Sequence, residues 1–436
     1  MVLFDTDISP FEQVNVALDL ETTGLDSNRH QILEVGAVRF RGDEVIETYQ
    51  TLVNPGVPIP EFIQRLTHIS PQQVKRAPFF SSVAAEIEDF LGADPIIGHN
   101  IQFDIGFLTN NGVRINNPSY DTWDLASVFM PESRQYSLKY LTTHFQVEHN
   151  DAHRALADAM ATKNVYIKLL RLAAEQDSGL LSYLSNLAAR SRWSISGILA
   201  GLEGTGDAQT SSVGLTGLDL EQLSIRLNSP EKRRADPALS DLSEETVAGL
   251  LAQNGPFAKV FSGFEHRPEQ EEMLTSVTKA MYHNQHLVVE GGTGVGKSMA
   301  YLLPAALFAI SKGQRVVIST NTINLQEQLM NKDIPALTQV LEESGLVEPG
   351  VLKAALLKGR ANYLCLRRWN HLARGESPTI DDARLLSKTS VWMQKTVSGD
   401  RAEINLSGRD AGSWNHISAG EKGFCPGLRD GSPCFL

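Results

Sequence analysis

The chain has 436 residues of ordinary globular composition, so two or three domains are expected, each large enough to bury its own core. The longest apolar run, Ala300 to Ile310, is too short to cross a bilayer, MVLFDTDISPFEQ does not read as a signal peptide, and three cysteines make no disulfide framework. These features speak against a membrane or disulfide-stapled secreted protein, and the expectation is a cytoplasmic one. The net charge of −12 weakens the case for a nucleic-acid partner. The excess is concentrated in residues 1–175, with 13 Lys+Arg against 23 Asp+Glu, where carboxylates that bind metal would be neutralised.

In chain order, VNVALDL, QILEVGAVRF and VIETYQTLV read as three strands of an antiparallel meander, with a turn at Arg41-Gly42-Asp43. Phe80–Leu91 has helical spacing. Pro95-Ile-Ile-Gly98 reads as a short buried strand leading to His99-Asn100-Ile-Gln-Phe103-Asp104 at a helix start. Tyr120-Asp121-Thr122, an amphipathic piece around Ser137–Leu141, and a long helical pattern from about His153 to Glu175 complete an α/β layer fold.

GLEGTGDAQTSSVGLTG, from Gly201 to Gly217, has the composition of a flexible linker, and a helix is expected over Ser243–Gln253. Beyond it come Phe264 to Gln270, a helix reaching His283, the strand His286–Glu290, a glycine loop, a helix in which Pro304 predicts a kink or break, and a second strand, Arg315–Ser319. The expected domains are 1–178, a helical and flexible linking region 179–255, and 256–436.

Val16 to Leu25 carries the first chemistry. Residues two apart on a strand share a face, so Asp19 and Glu21 project together while Leu18 and Leu20 point the other way. Alone, such a pair is most often a solvated face. Asp104 at a helix start and His153 with Asp158 supply the rest of a set suited to hard divalent ions that activate water and stabilise a phosphodiester transition state. His153 and Asp158 lie five apart, roughly 140° around a helix at about 100° per residue. His153 is therefore expected at or before the helix N-terminus.

Asp19-Leu-Glu21-Thr-Thr-Gly-Leu, His99-Asn-Ile-Gln-Phe-Asp104 and His153-Arg-Ala-Leu-Ala-Asp158-Ala resemble, in order, the three motifs of the DnaQ-like, DEDDh family of 3′–5′ exonucleases. The resemblance covers about residues 12–172. It implies a ribonuclease H-like fold, two Mg²⁺ or Mn²⁺ ions held by Asp19, Glu21, Asp104 and Asp158, His153 as general base, and nucleoside 5′-monophosphate products. Asn100 and Phe103 are assigned to support and packing, Leu25 to core or to a wedge against a terminal base, and Asp121 to capping the helix that begins at Thr122. A domain that binds nucleic acid without cutting it is the alternative.

Gly291-Gly-Thr293-Gly294-Val-Gly296-Lys297-Ser298 fits a phosphate loop: backbone N–H groups converge on phosphate oxygens, Lys297 meets the β/γ-phosphates and Ser298 reaches Mg²⁺. Arg267-Pro-Glu-Gln270, this loop, residues 316–329 and Lys358-Gly-Arg-Ala-Asn-Tyr-Leu-Cys365 resemble the front of DinG-type helicases of the XPD-like group in superfamily 2. The resemblance implies a RecA-like domain with a parallel sheet, ATP as ligand, and Arg267 and Gln270 on the adenine side.

No apolar strand ending in Asp-Glu follows Ser319, so the expectation is an incomplete motor lobe that does not unwind DNA by itself. Cys365 matches one of four cysteines that hold a [4Fe–4S] cluster in many relatives. Cys425 and Cys434 add two, there is no fourth, and the cluster is expected to be absent or degraded. The sequence reading is thus a metal-dependent 3′–5′ exonuclease on single-stranded DNA joined to a partial ATP-binding helicase lobe. Its alternatives are an ATP-responsive nucleic-acid-binding module and an exoribonuclease; oligomeric state is not legible.

Overall fold

The computed structural model describes residues 9–203, 239, 243–260, 264–292, 294–406, 408–420, 425, 434 and 435. Contacts divide the chain into one unit of residues 1–228 with 359–436, and a second of residues 229–358.

The first unit is built on a five-stranded mixed sheet, β1 (Val14–Thr22), β2 (Ile32–Arg41), β3 (Glu44–Leu52), β4 (Ile96–Gly98) and β5 (Ser119–Asp121), in the order β3-β2-β1-β4-β5. β1 pairs antiparallel with β2 and parallel with β4. β2 and β3 are antiparallel, and β4 and β5 parallel. The expected meander is therefore present, with Gly42 at φ 54° in its turn. This is the expected ribonuclease H-like arrangement.

Helices α1 (Glu61–Thr67), α2 (Pro71–Lys75), α3 (Phe80–Leu91), α4 (Gln102–Asn110), α5 (Thr122–Phe129), α6 (Leu138–Phe145), α7 (Ala155–Ala174), α8 (Ser178–Arg190) and α9 (Ser196–Glu203) follow the strands. The period of two along β1 sorts its side chains between two cores. Val16, Leu18 and Leu20 pack with Ile87 and Phe90 of α3. Ala17 belongs to the core that also holds Val165 and Tyr166 of α7. Asp19 and Glu21, in step with Ala17, accordingly share the α7 side. The expected cap at Asp121 is present, its carboxylate accepting the Trp123 N–H at 2.9 Å to start α5, and the Ser137 hydroxyl likewise accepts the Tyr140 N–H at 3.3 Å to start α6.

The second unit contains α10 (Glu244–Gly249), α11 (Pro256–Val260), α12 (Pro268–Tyr282), α13 (Lys297–Lys312), α14 (Ile323–Gln328) and α15 (Ile334–Glu343). Leu274 of α12 and Leu303 and Leu307 of α13 share one core. Helix α13 continues through Pro304 without the expected break. The expected strands His286–Glu290 and Arg315–Ser319 form no ladder, and among the described residues of this unit no strand is present, so the parallel sheet expected here is not formed by them. Val288 is 98% and Val317 88% exposed. An apolar run is a local signal, whereas a parallel strand needs a neighbour on each side and cover on both faces.

Helices α16 (Leu366–Ala373), α17 (Ile380–Met393) and α18 (Gly408–Ile417) group with the first unit instead of continuing the second. Trp369, Trp392 and Trp414, all fully buried, lie in the same core as Leu125 of α5 and Leu184 of α8.

Candidate active site

Three chain segments, β1 and the starts of α4 and α7, meet at the α7 side of β1. Asp19 and Glu21 stand on β1. Asp104 lies in the first turn of α4, and its Oδ1 accepts the Leu20 N–H at 3.0 Å, which fixes the helix start against the strand. Asp158 lies in the first turn of α7, and its Oδ2 accepts the backbone N–H of His153 at 3.2 Å.

His153 itself precedes α7, as the rotation argument requires. It has a left-handed φ of 66° and is exposed. One ligand atom from each of Glu21, His153 and Asp158 lies within 4.8 Å of the others.

The electrostatics show that the carboxylates crowd one another. Burial, then Asp104, Asp158, Glu21 and Glu34, push Asp19 well above the ordinary carboxylate range. Glu21 is pushed up to about 8 by burial, with Asp158 and Glu34 adding and Arg154 opposing. Asp104 is raised by burial against the counteracting Leu20 N–H. A group of oxygens this short of positive charge fits divalent cations, and the donor set is the hard one that Mg²⁺ and Mn²⁺ prefer.

Three further residues shape the site and were not singled out from sequence. Glu34 pairs with Glu21 across the β1–β2 ladder, and like charges so placed repel. The guanidinium of Arg154 answers this, donating to Glu34 from Nε at 3.0 Å and from Nη2 at 2.7 Å. Glu34 also accepts the Ala155 N–H at 3.1 Å, at the first residue of α7, and the Gln50 amide at 2.8 Å. His149 contacts the Asp158 carboxylate through Nε2. The available signals were a glutamate interrupting the apolar run of β2 and a second histidine four residues before His153.

Gly36, paired with Asp19 in the ladder, lets the α7 backbone cross β2 directly. A Cβ there would lie 2.2 Å from the Ala155 carbonyl carbon and the Leu156 nitrogen.

The second motif is braced from β5 and α5. Asn100 adopts φ 62°, and its N–H donates to Asp121 Oδ1 at 3.0 Å. His99 Nδ1 lies 2.9 Å from Thr122 Oγ1, which donates to the Gly98 carbonyl at 3.1 Å. Burial lowers His99 to about 4, so its ring is neutral at neutral pH. Leu25 is 86% exposed, which removes the core reading of it.

In the second unit, Gly296 starts α13 with φ 81°, and a Cβ on it would meet the Gln270 amide nitrogen at 2.2 Å. Gln270 donates to the Gly296 carbonyl at 2.7 Å, and Arg267 donates to the Gly294 carbonyl while pairing with Glu265 at 2.9 Å. Both residues expected beside adenine thus hold the loop backbone here. Lys297 Nζ donates to the carbonyls of Gly291 and Gly292 at 2.8 and 2.7 Å, and Ser298 is half-buried. Thr293 lies outside the described residues.

Of the thiols, Cys365 and Cys434 are half-buried and Cys425 exposed, and Cys365 sits at the start of α16. Residues 426–433, between Cys425 and Cys434, lie outside the described residues.

Residues 16–166, which carry all four carboxylates and His153, match the Exonuclease (RNase_T) family, and residues 267–343, which carry the glycine loop, match the DEAD/DEAH box helicase family. Across both, the chain is 28% identical over 416 residues to a "3'-5' exonuclease DinG" of Bacillus subtilis (strain 168), covering 92% of this chain and 43% of that protein. It is 29% identical over 399 residues to the protein of the same name from Staphylococcus epidermidis, covering 90% and 42%. The chain therefore spans less than half the length of these relatives. Among solved structures, Exonuclease X in complex with 5′ overhanging duplex DNA matches 37% of this chain and 93% of its own, at 23% identity and TM-score 0.33. The nuclease domain of 3′hExo, a DEDDh family member bound to rAMP, matches 37% and 94%, at 17% identity and TM-score 0.33. No helix among the described residues is long and apolar enough to cross a membrane.

Proposed function

We propose that the chain is a metal-dependent 3′–5′ exonuclease that hydrolyses single-stranded DNA to nucleoside 5′-monophosphates and carries an ATP-binding helicase-type segment. The observation behind this reading is the convergence of Asp19, Glu21, Asp104 and Asp158 with His153 at the start of α7. Asp19, Glu21, Asp104 and Asp158 would hold two Mg²⁺ or Mn²⁺ ions. Bound there, the ions would acidify a water and stabilise charge on the phosphate oxygens.

The chain's own residues supply the rest. His153, exposed and outside the helix, takes the proton of the attacking water as general base. Arg154 on Glu34 keeps that loop and the first turn of α7 in register with β2. Leu25, exposed on the loop after β1, is available to stack against the terminal base. The exonuclease domain is taken as residues 1–178. A cytoplasmic setting suits a chain whose cysteines are only Cys365, Cys425 and Cys434, too few and too widely spaced for a disulfide framework.

The test is a 5′-labelled single-stranded oligonucleotide with Mg²⁺ or Mn²⁺. A ladder shortened from the 3′ end is expected, abolished by Asp19→Ala and by chelation, and activity surviving in Asp19→Ala would remove the assignment. The matching RNA oligonucleotide decides between DNA and RNA, because the carboxylates do not sense a 2′-hydroxyl. A second reading, an ATP-responsive binding module, draws on the Lys297 loop. It would show as binding without product, with affinity altered by Lys297→Ala and indifferent to Asp104→Ala.

A further inference from the structure

The exonuclease domain presents a face, formed by α5, α8 and the segment around Trp193, to which residues 359–419 are joined by buried charge as well as by apolar packing. Asp124 on α5 is 6% exposed, an unusual place for a carboxylate unless it is paired. Its Oδ1 accepts Arg384 Nε at 3.0 Å and its Oδ2 accepts the Trp193 indole N–H at 2.8 Å.

Arg384, on α17 and 5% exposed, also donates to Asp381 at 2.7 Å. Its guanidinium lies 5.9 Å from the Trp123 ring centre and 5.4 Å from that of Trp193. A guanidinium flanked by indoles and bonded to a buried carboxylate is specific in angle as well as charge, because its planar fork fixes the partner's orientation.

A second buried link runs one turn further along α17. Lys388, fully buried, pairs with Asp410, donates to the Asn405 carbonyl at 2.9 Å and stands 5.4 Å from the Tyr136 ring centre. Asn405 in turn donates its backbone N–H to the Pro131 carbonyl at 2.8 Å, on the segment that follows α5.

Helix α5 is also the brace of the second carboxylate motif. Its cap, Asp121, holds the Asn100 N–H, and its first residue, Thr122, bonds both His99 and Gly98. Asp104 lies in the first turn of α4, four residues after Asn100. An unbroken series of contacts thus runs from Arg384 through Asp124 and α5 to the turn that sets Asp104.

We propose that residues 359–419 are a built-in brace of the exonuclease domain and that Arg384 is a positioning residue for its active site, acting through Asp124 to hold α5 against the His99–Asn100 turn. The consequence is that the helicase-side end of the chain sets the geometry of the nuclease carboxylates. This rests on the exonuclease reading for its kinetic arm and on geometry alone for its others.

The experiment uses the intact chain with Arg384→Lys, which keeps the charge and loses the fork, and Arg384→Met, which loses both. Near-UV circular dichroism checks packing, and three quantities are compared with wild type: oligonucleotide cleavage with kcat and KM separated, Mn²⁺ affinity by calorimetry, and amide exchange over residues 98–104 and 119–124. Expected in Arg384→Lys are a kcat about tenfold lower at unchanged KM, a similar weakening of Mn²⁺ binding, and faster exchange in both windows, within the range of remote coupling. Arg384→Lys with native circular dichroism and with kcat, Mn²⁺ affinity and exchange all at wild-type values overturns the proposal, even if Arg384→Met unfolds. A wild-type chain that binds Mn²⁺ without cutting DNA removes the exonuclease reading instead, and the binding and exchange measurements still decide the brace.

Discussion

Arg154 binds Glu34 through two nitrogens, Nε at 3.0 Å and Nη2 at 2.7 Å, across a gap of 120 residues in sequence. Glu34 is wholly buried, so the pair neutralises a carboxylate that would otherwise face Glu21 in a dry interior. Replacing Arg154 with Ala leaves that charge only the Ala155 N–H and the Gln50 amide. The expected cost is about 1.5–3 kcal/mol, the range for hydrogen bonds to a charged group, because the Arg154 side chain is 33% exposed. Urea unfolding of the Arg154→Ala chain measures it, and a loss below about 1 kcal/mol, the surface-pair range, would show the pair to be solvated.

Gly36 governs how close α7 comes to the sheet. A methyl group there, 2.2 Å from backbone atoms of Ala155 and Leu156, has no flexible side chain to displace. Gly36→Ala is expected to lift the first turn of α7 and carry Asp158 away from Glu21, with a stability loss of about 1–3 kcal/mol, the usual cost of overpacking. Mn²⁺ titration of the variant should show affinity lost more severely than stability. Unchanged affinity would mean that α7 moves without Asp158.

The pH dependence follows from Glu21. Its folded-state value of about 8 lies above the ordinary 4.5, so between those limits the metal-free folded chain holds a proton that the unfolded chain has released. That contribution to stability is fully present below about pH 4.5 and is lost as pH rises through about 8, and Asp19 and Asp104 shift in the same direction. The melting temperature without metal is expected to fall from pH 5 to pH 9 and to be restored by Mn²⁺. Binding at pH 7 should release protons. Calorimetric titration in two buffers of different ionisation heat measures the release, and identical heats would show the carboxyls already ionised.

Lys297 bonds the carbonyls of its own loop, Gly291 and Gly292. A nucleotide phosphate must draw the ammonium away from them. Lys297→Ala is expected to weaken binding of a fluorescent ATP analogue at least tenfold while cleavage of a short oligonucleotide stays within twofold, because single charge-assisted hydrogen bonds contribute roughly 1.5–3 kcal/mol. Equal loss of both would join the two functions in one site.

The candidate site was legible to the degree that its chemistry is local. Asp19 and Glu21 were readable from strand alternation, His153 from its rotation relative to Asp158, and Asp121 from cap chemistry, since each depends on a few neighbouring residues. Glu34 and Arg154 were not, because a glutamate within an apolar strand discloses nothing about a partner 120 residues away. The strands at 286–290 and 315–319 were misjudged for the same reason: their apolar runs are local, and a ladder is not. Residues 359–419 were assigned with the glycine loop by motif order, whereas Trp369, Trp392 and Trp414 pack into the first unit's core, a preference no periodicity encodes.

Val288 and Val317, almost fully exposed and outside any helix or strand, bear on how the molecule behaves in a tube. Apolar segments with open hydrogen-bonding edges adhere to one another, and neither carries the lysine or proline with which proteins usually blunt such edges. These two short segments are therefore where a solubilising lysine would do most good, far along the sequence from the nuclease carboxylates.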